Sequence, residues 1–179
     1  MAYPERIDGG GAVYERWSFE RHAPGFAELC ADPEVMRFLG GPQSPAAAQE
    51  TARRIEDHWT TFGFGLWAVM NGDACVGFTG ACHPGPAWDP DFSGEVEVGW
   101  RLARAAWGRG LAVAGARAAV DAVAAEEPLL RVIAFVDPRN TRSLAVTVRL
   151  GMRRLRSAVD CRLGTTVDVF ERPLEVPAR

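Results

Sequence analysis

The sequence is poor in histidine, has no paired cysteines and carries no excess of positive charge. The three histidines, His22, His58 and His83, are isolated and match no metal-ligand spacing. The four cysteines, Cys30, Cys75, Cys82 and Cys161, form no C-x-x-C pair, and two lie inside apolar stretches. That pattern predicts reduced, packed thiols rather than a disulfide framework or a zinc site, so no metal is expected. No apolar run approaches the roughly 18 residues that a membrane span needs. The first residues, Met1 to Arg6, lack the basic-then-apolar order of a signal peptide. Lys and Arg number 20 against 23 Asp and Glu, a net charge of −3 with no run of one sign. A nucleic-acid binder usually shows a basic face, so that class is disfavoured. A polyanionic small ligand remains open, because a few local arginines suffice. Together the absences predict a cytoplasmic protein with neither nucleic-acid nor membrane partners, monomeric or homodimeric.

What is present suits one domain over residues 1–179, long enough to bury a core. The start reads as a polar lead-in ending in Gly9-Gly10-Gly11, followed by a strand from Val13 to Phe19. A short helix is expected from Pro24 to Cys30. Asp32-Pro33-Glu34 then gives an N-cap with proline at the first helical position, and Ser44-Pro45 repeats the signature before a helix of about Ala46 to Phe62. Leu66–Met70 and Ala74–Ala81 are apolar runs flanking Asn71-Gly72-Asp73, a hairpin signal. A proline-rich loop spans His83 to Phe92, and Val96 to Leu102 is a further strand. Beyond it the order is helix (Gly110–Ala125), strand (Arg131–Val136) and helix (Asn140–Leu150, ended by Gly151), then two strands, Arg153–Val159 and Thr165–Glu171. Strand–helix–strand order implies one parallel pair.

The chemistry concentrates where the strand ending at Leu102 leads through Ala103 to Ala106 into Trp107-Gly108-Arg109-Gly110-Leu111-Ala112 and a helix. Such a turn offers unpaired backbone N–H groups at the positive end of a helix dipole, suited to a phosphate or pyrophosphate. Glycines let the backbone approach closely. It is not a Walker loop, since no G-K-[ST] follows. It is not a dinucleotide fingerprint either, since Val113 stands where Gly or Ala is needed. A plain glycine-flanked helix start is the alternative reading of these residues.

The Trp107–Ala112 run resembles the acetyl-CoA pyrophosphate loop of the GNAT acetyltransferase superfamily, and within it the RimJ/RimL-type branch. Glu97-Val98-Gly99-Trp100 is similar to that branch's fourth strand, and Asp32 to Phe38 to its N-terminal helix motif. Asn140-Thr141-Arg142-Ser143 resembles its N-x-x-S motif, and Arg149-Leu150-Gly151-Met152 the element after it. These resemblances run in family order from about Val13 to Phe170. The fold they imply is a single mixed α/β (α+β) domain. Its twisted sheet of about seven strands is mostly antiparallel, with one splayed parallel pair and helices on both faces. The activity implied is transfer of an acetyl group from acetyl-CoA to a primary amine, either a protein N-terminus or a small molecule.

By the same resemblance, pantetheine lies between the fourth and fifth strands of the fold. Val98 and Gly99 would bond it or polarise the thioester. Arg109, Gly110, Leu111 and Ala112 would hold the pyrophosphate, with Arg104 and Arg109 adding charge. Asn140 would bond pantetheine, and Ser143 would face the sulfur. Many members carry a Tyr general acid seven residues after the Asn; here that position is Thr147, so Ser143 is the candidate acid and Glu97, through water, the candidate base. Glu97 also reads as a solvated strand residue, Asn140 as a helix cap and Ser143 as an ordinary first-turn serine. Acids in the preceding loop, Asp89, Asp91 and Glu95, would favour a cationic acceptor. A non-catalytic acyl-CoA-binding protein on the same scaffold is the alternative function.

Overall fold

The computed structural model describes residues 3–85, 90–126, 131–161 and 163–174. Strands β1 (Arg6–Gly9) and β2 (Ala12–Arg16) form a hairpin where a polar lead-in was expected. Its turn is Gly10-Gly11, with φ of 63° and 80°. Two positive φ values make a turn whose twist matches the flanking strands, and glycine adopts them without steric cost. Helix α1 (Phe19–Ala31) begins at Phe19 rather than Pro24. A long-range partner sets that start, with Phe19 N–H donating to Glu56 Oε1 at 2.8 Å, and within the first turn Ser18 N–H donates to His22 Nδ1 at 2.9 Å. The local cap signals hold elsewhere. Asp32 caps α2 (Pro33–Met36) by accepting from Glu34 N–H, and Ser44 caps α3 (Pro45–Phe62) by accepting from Ala47 N–H.

Strands β3 (Leu66–Asn71) and β4 (Ala74–Cys82) are the expected hairpin, followed by β5 (Glu97–Leu102). The rest is α4 (Leu111–Glu126), β6 (Arg131–Val136), α5 (Thr141–Arg149), β7 (Arg153–Asp160) and β8 (Thr165–Pro173). One sheet of eight strands runs β1-β2-β3-β4-β5-β6-β8-β7, so the early hairpin takes the number past seven. Every neighbouring pair is antiparallel except β5 with β6. β5 pairs with β4 along its whole length, from Glu97↔Cys82 to Leu102↔Gly77. With β6 it shares only Glu97↔Ile133, fastened by Ile133 N–H to Val96 O at 2.9 Å. Past that point the two parallel strands separate.

Helices cover both faces. Phe78 packs against Phe26 of α1, while the next residue, Thr79, donates its hydroxyl to Ala112 O of α4. Consecutive strand residues point to opposite faces, so α1 and α4 lie on opposite sides. Trp100, cross-strand from Thr79, reaches α5, which therefore shares the α4 side. α4 sits unusually close to the sheet: Tyr14 Oη donates to Leu111 O at 3.0 Å, and Gly115 lies directly over Thr79 and the Tyr14 ring. A methyl group at 115 would collide with Thr79 Cγ2 and with Tyr14 Cε1, both in fully buried side chains. Gly115→Ala should therefore cost about 1–3 kcal/mol of stability, the usual price of overpacking. Denaturant midpoints check this; an unchanged midpoint would show that α4 is not held at this distance.

Candidate functional site

The separated ends of β5 and β6 open into a cleft of about 1200 Å³. In a strand, successive residues direct their peptide groups to alternate edges. Val96 O accepts from Ile133 N–H, and the parallel bridge Glu97↔Ile133 takes up the Val98 N–H as well, so the Val98 C=O and the peptide groups of Trp100 face the gap past this last pairing. Gly99 is different: it opposes Gly80, with its peptide groups turned to β4. What Gly99 contributes to the cleft is an open α-carbon. A Cβ there would find only Leu66 and Glu97 within 4 Å, at 3.7 and 3.8 Å.

At one end of the cleft lies the glycine turn. Gly108 and Gly110 have φ of 73° and 78°, values that other residues rarely adopt. Gly110 O accepts the first helical bond, from Ala114 N–H at 3.0 Å. The N–H groups that precede Ala114 in this turn have no intrahelical acceptor and form the positive end of α4. Arg109 and Arg142 line this end, with the Arg142 guanidinium 4.2 Å from the Trp107 ring centroid. Arg104, in contrast, does not line the cleft. Its Nε donates to Asp32 Oδ2 at 2.8 Å, which ties the turn before α4 to the cap of α2. Sequence could not show that the residue is already paired.

On the α5 side, Asn140 Oδ1 accepts from Ser143 N–H at 3.2 Å, so the asparagine is a helix cap as well as a cleft residue. Ser143 Oγ accepts from the Trp100 indole N–H at 3.2 Å. With its lone pair so engaged, the hydroxyl proton is left to donate elsewhere. Thr147 is fully buried, and its hydroxyl donates to Leu144 O at 2.8 Å within its own helix. It is closed off from the cleft that Ser143 lines.

Across β5 the face toward α1 and α3 carries Glu97, half-buried and beside Cys82. The strand face once open to the reading of a solvated surface is therefore the floor of the cleft's second half. Burial pushes the Cys82 thiol well above its ordinary range, and the nearby Glu97 carboxylate adds to that. Phe38 and Ile55 wall this half, with His58 and His83 at its margin. The two imidazoles were unremarkable in sequence, yet His83 N–H donates to His58 Nε2 at 2.9 Å. Two of the three loop acids are committed elsewhere. Glu95 pairs with Arg131 at 2.5 Å and Asp91 with Arg156 at 3.0 Å, and neither lines the cleft. Asp89 and Trp88 lie outside the described residues. Among the described residues no group of His, Cys, Asp or Glu is arranged to hold a metal ion, and no helix is long and apolar enough to cross a membrane.

Residues 14–153 match the acetyltransferase (GNAT) domain. The chain belongs to the GNAT acetyltransferase family. A relative from Bacillus subtilis (strain 168), the uncharacterised protein YkkB, is 30% identical over 128 residues, covering 71% of this chain and 73% of its own. The fold is shared with an acetyltransferase from Agrobacterium tumefaciens str. C58, at TM-score 0.78 and 24% identity over 96% of this chain and 95% of that one. It is also shared with the microcin C7 self-immunity acetyltransferase MccE, solved with acetyl-CoA and AMP, at TM-score 0.73 and 9% identity over 96% and 97%. Asn140 caps α5 and lines the cleft, and one substitution separates the cap from any bond to the coenzyme. Asn140→Ala should cost about 1 kcal/mol as a lost cap. It should also raise the Kd for acetyl-CoA about tenfold, the worth of one hydrogen bond. Calorimetry beside a melting curve separates them: lower melting with unchanged affinity would leave Asn140 a cap only.

Proposed function

We propose that this protein transfers the acetyl group of acetyl-CoA directly to a primary amine while both are bound. The observation that carries the reading is the open edge of β5. Polar backbone groups at Val98 and Trp100 face a gap, between a positively polarised helix end and a half-buried carboxylate. Acetyl-CoA supplies an activated thioester; the chain's part is to hold, align and stabilise. The N–H groups of Arg109, Gly110, Leu111 and Ala112 hold the pyrophosphate, with the Arg109 and Arg142 guanidinium groups adding charge. Val98 and Trp100 bond the pantetheine arm as a neighbouring strand would, and Asn140 bonds it from the other wall.

Ser143 donates its hydroxyl proton toward the sulfur as negative charge grows there. The indole N–H of Trp100 on the same oxygen strengthens that donor, because hydrogen bonds in a chain polarise one another. Glu97 receives the amine, directly or through one water. The acceptor is a protein N-terminus or a small amine, as the resemblance of the Trp107–Ala112, Glu97–Trp100 and Asp32–Phe38 motifs to the RimJ/RimL-type branch suggests.

Acetyl-CoA at 100 times its Kd should stabilise the fold by about 2.7 kcal/mol, and release of free thiol should depend on an added amine. Ser143→Ala should lower kcat about 10–100-fold with little change in the coenzyme KM, since the bond strengthens only as the thiolate forms. Thermal stabilisation without thiol release from any amine would make the protein a binder. No stabilisation by millimolar acetyl-CoA would sink the reading altogether.

A further inference from the structure

Hydrogen bonding divides the three histidines two against one. His22 is buried, with Nδ1 accepting from Ser18 N–H and Nε2 donating to Glu15 Oε1, both at 2.9 Å. His58 donates Nδ1–H to Phe64 O at 2.9 Å and accepts His83 N–H on Nε2 at 2.9 Å. Each of these rings is fixed as a neutral tautomer with both nitrogens occupied, and burial holds both below the usual histidine pKa. His83 is the exception. Its Nδ1 lies 3.0 Å from Glu95 O. A carbonyl can only accept, so Nδ1 carries the proton and Nε2 keeps a lone pair. Among the described residues no hydrogen bond reaches that nitrogen. The ring is held edge-on by Phe62 and Phe64, at centroid distances of 4.7 and 5.2 Å, and it lines the cleft in company with Glu97.

We propose that His83 Nε2 is the proton acceptor for the amine, with Glu97 holding the ammonium group that it deprotonates. The assignment rests on the acetyl-transfer reading above. His83 takes a proton from R–NH₃⁺ and becomes imidazolium. The freed nitrogen lone pair forms the C–N bond at the thioester carbon, and the C–S bond breaks with its electron pair on sulfur. The second amine proton leaves to water, the thiolate takes one from water, and His83 returns its own to solvent. Imidazole suits this task at neutral pH: its reference pKa is about 6.5 against about 4.3 for a carboxylic acid, and proton transfer is most efficient when the base matches the working pH.

The groups facing the ring agree with this role. His58 on α3 is neutral, and the Cys82 thiol on β4 is kept protonated by burial. The Glu95 carboxylate is turned to Arg131. Glu97 on β5 presents its carboxylate to the same cleft, where it can meet the ammonium group.

Two measurements on the intact protein test the proposal. Diethylpyrocarbonate acylates an accessible, unprotonated imidazole nitrogen. Peptide mapping should find His83 modified at least about tenfold faster than His22 or His58, whose ring nitrogens are both occupied. Equal reactivity of the three, or an inert His83, overturns it. The second measurement is the pH profile of kcat/KM, followed by thiol release from acetyl-CoA with 2-phenylethylamine and with an unblocked peptide as probes. His83→Asn keeps a donor for Glu95 O and removes the Nε2 lone pair. It should lower kcat/KM about 100-fold at pH 7 and abolish the ascending limb of the profile, with acetyl-CoA still stabilising the fold as in wild type. Glu97→Gln should raise the acceptor KM and keep the limb. A limb that survives in His83→Asn contradicts the assignment. If the wild type transfers to neither probe, the acetyl-transfer reading fails, and the acylation pattern alone decides whether His83 is the open imidazole.

Discussion

β5 is fully paired with β4 on one edge and joined to β6 at the single position Glu97↔Ile133 on the other. Most of the site depends on that parting. A backbone N–H or C=O inside a protein needs a partner, and past the Glu97↔Ile133 bridge, which takes up the Val98 N–H, β6 offers none to the Val98 C=O or to Trp100. α4 packs on β4 and β5 while α5 packs on β6, so each strand follows its own helix. The gap opens at the carboxyl ends of two parallel strands, the place where open α/β sheets take ligands. The close seat of α4, made possible by Gly115, aims its first turn at the mouth of the gap.

The parts of the fold visible in the sequence are those set by neighbours along the chain. Asp32-Pro33 and Ser44-Pro45 cap helices, and Asn71-Gly72 turns a hairpin, because each supplies its own local hydrogen bonds or dihedrals. β1 escaped notice because Arg6-Ile7-Asp8 is polar and only its pairing with β2 makes it a strand. The start of α1 escaped for a similar reason: Glu56, on another helix, provides the acceptor for Phe19 N–H.

The site divides in the same way. Its glycine turn and the Asn140–Ser143 cap are contiguous motifs, so their positions in the cleft follow from local order. Charges were harder, because a charge in sequence does not show its partner. Arg104 is committed to Asp32, Glu95 to Arg131 and Asp91 to Arg156. Trp100 became visible only through its bond to Ser143, and His83 only through its bonds to His58 and Glu95. Each of these pairs is brought together by the fold across a long stretch of chain.

The account's central claim is that the gap between β5 and β6 receives the pantetheine arm as a strand would. Residue-resolved amide hydrogen exchange, with and without saturating acetyl-CoA, tests it most directly. The amide of Trp100, past the last pairing with β6, should exchange freely in the unliganded protein and slow by at least about tenfold when acetyl-CoA binds, as expected when an open backbone group gains a partner. Protection confined to the turn before α4, with Trp100 unchanged, would contradict it.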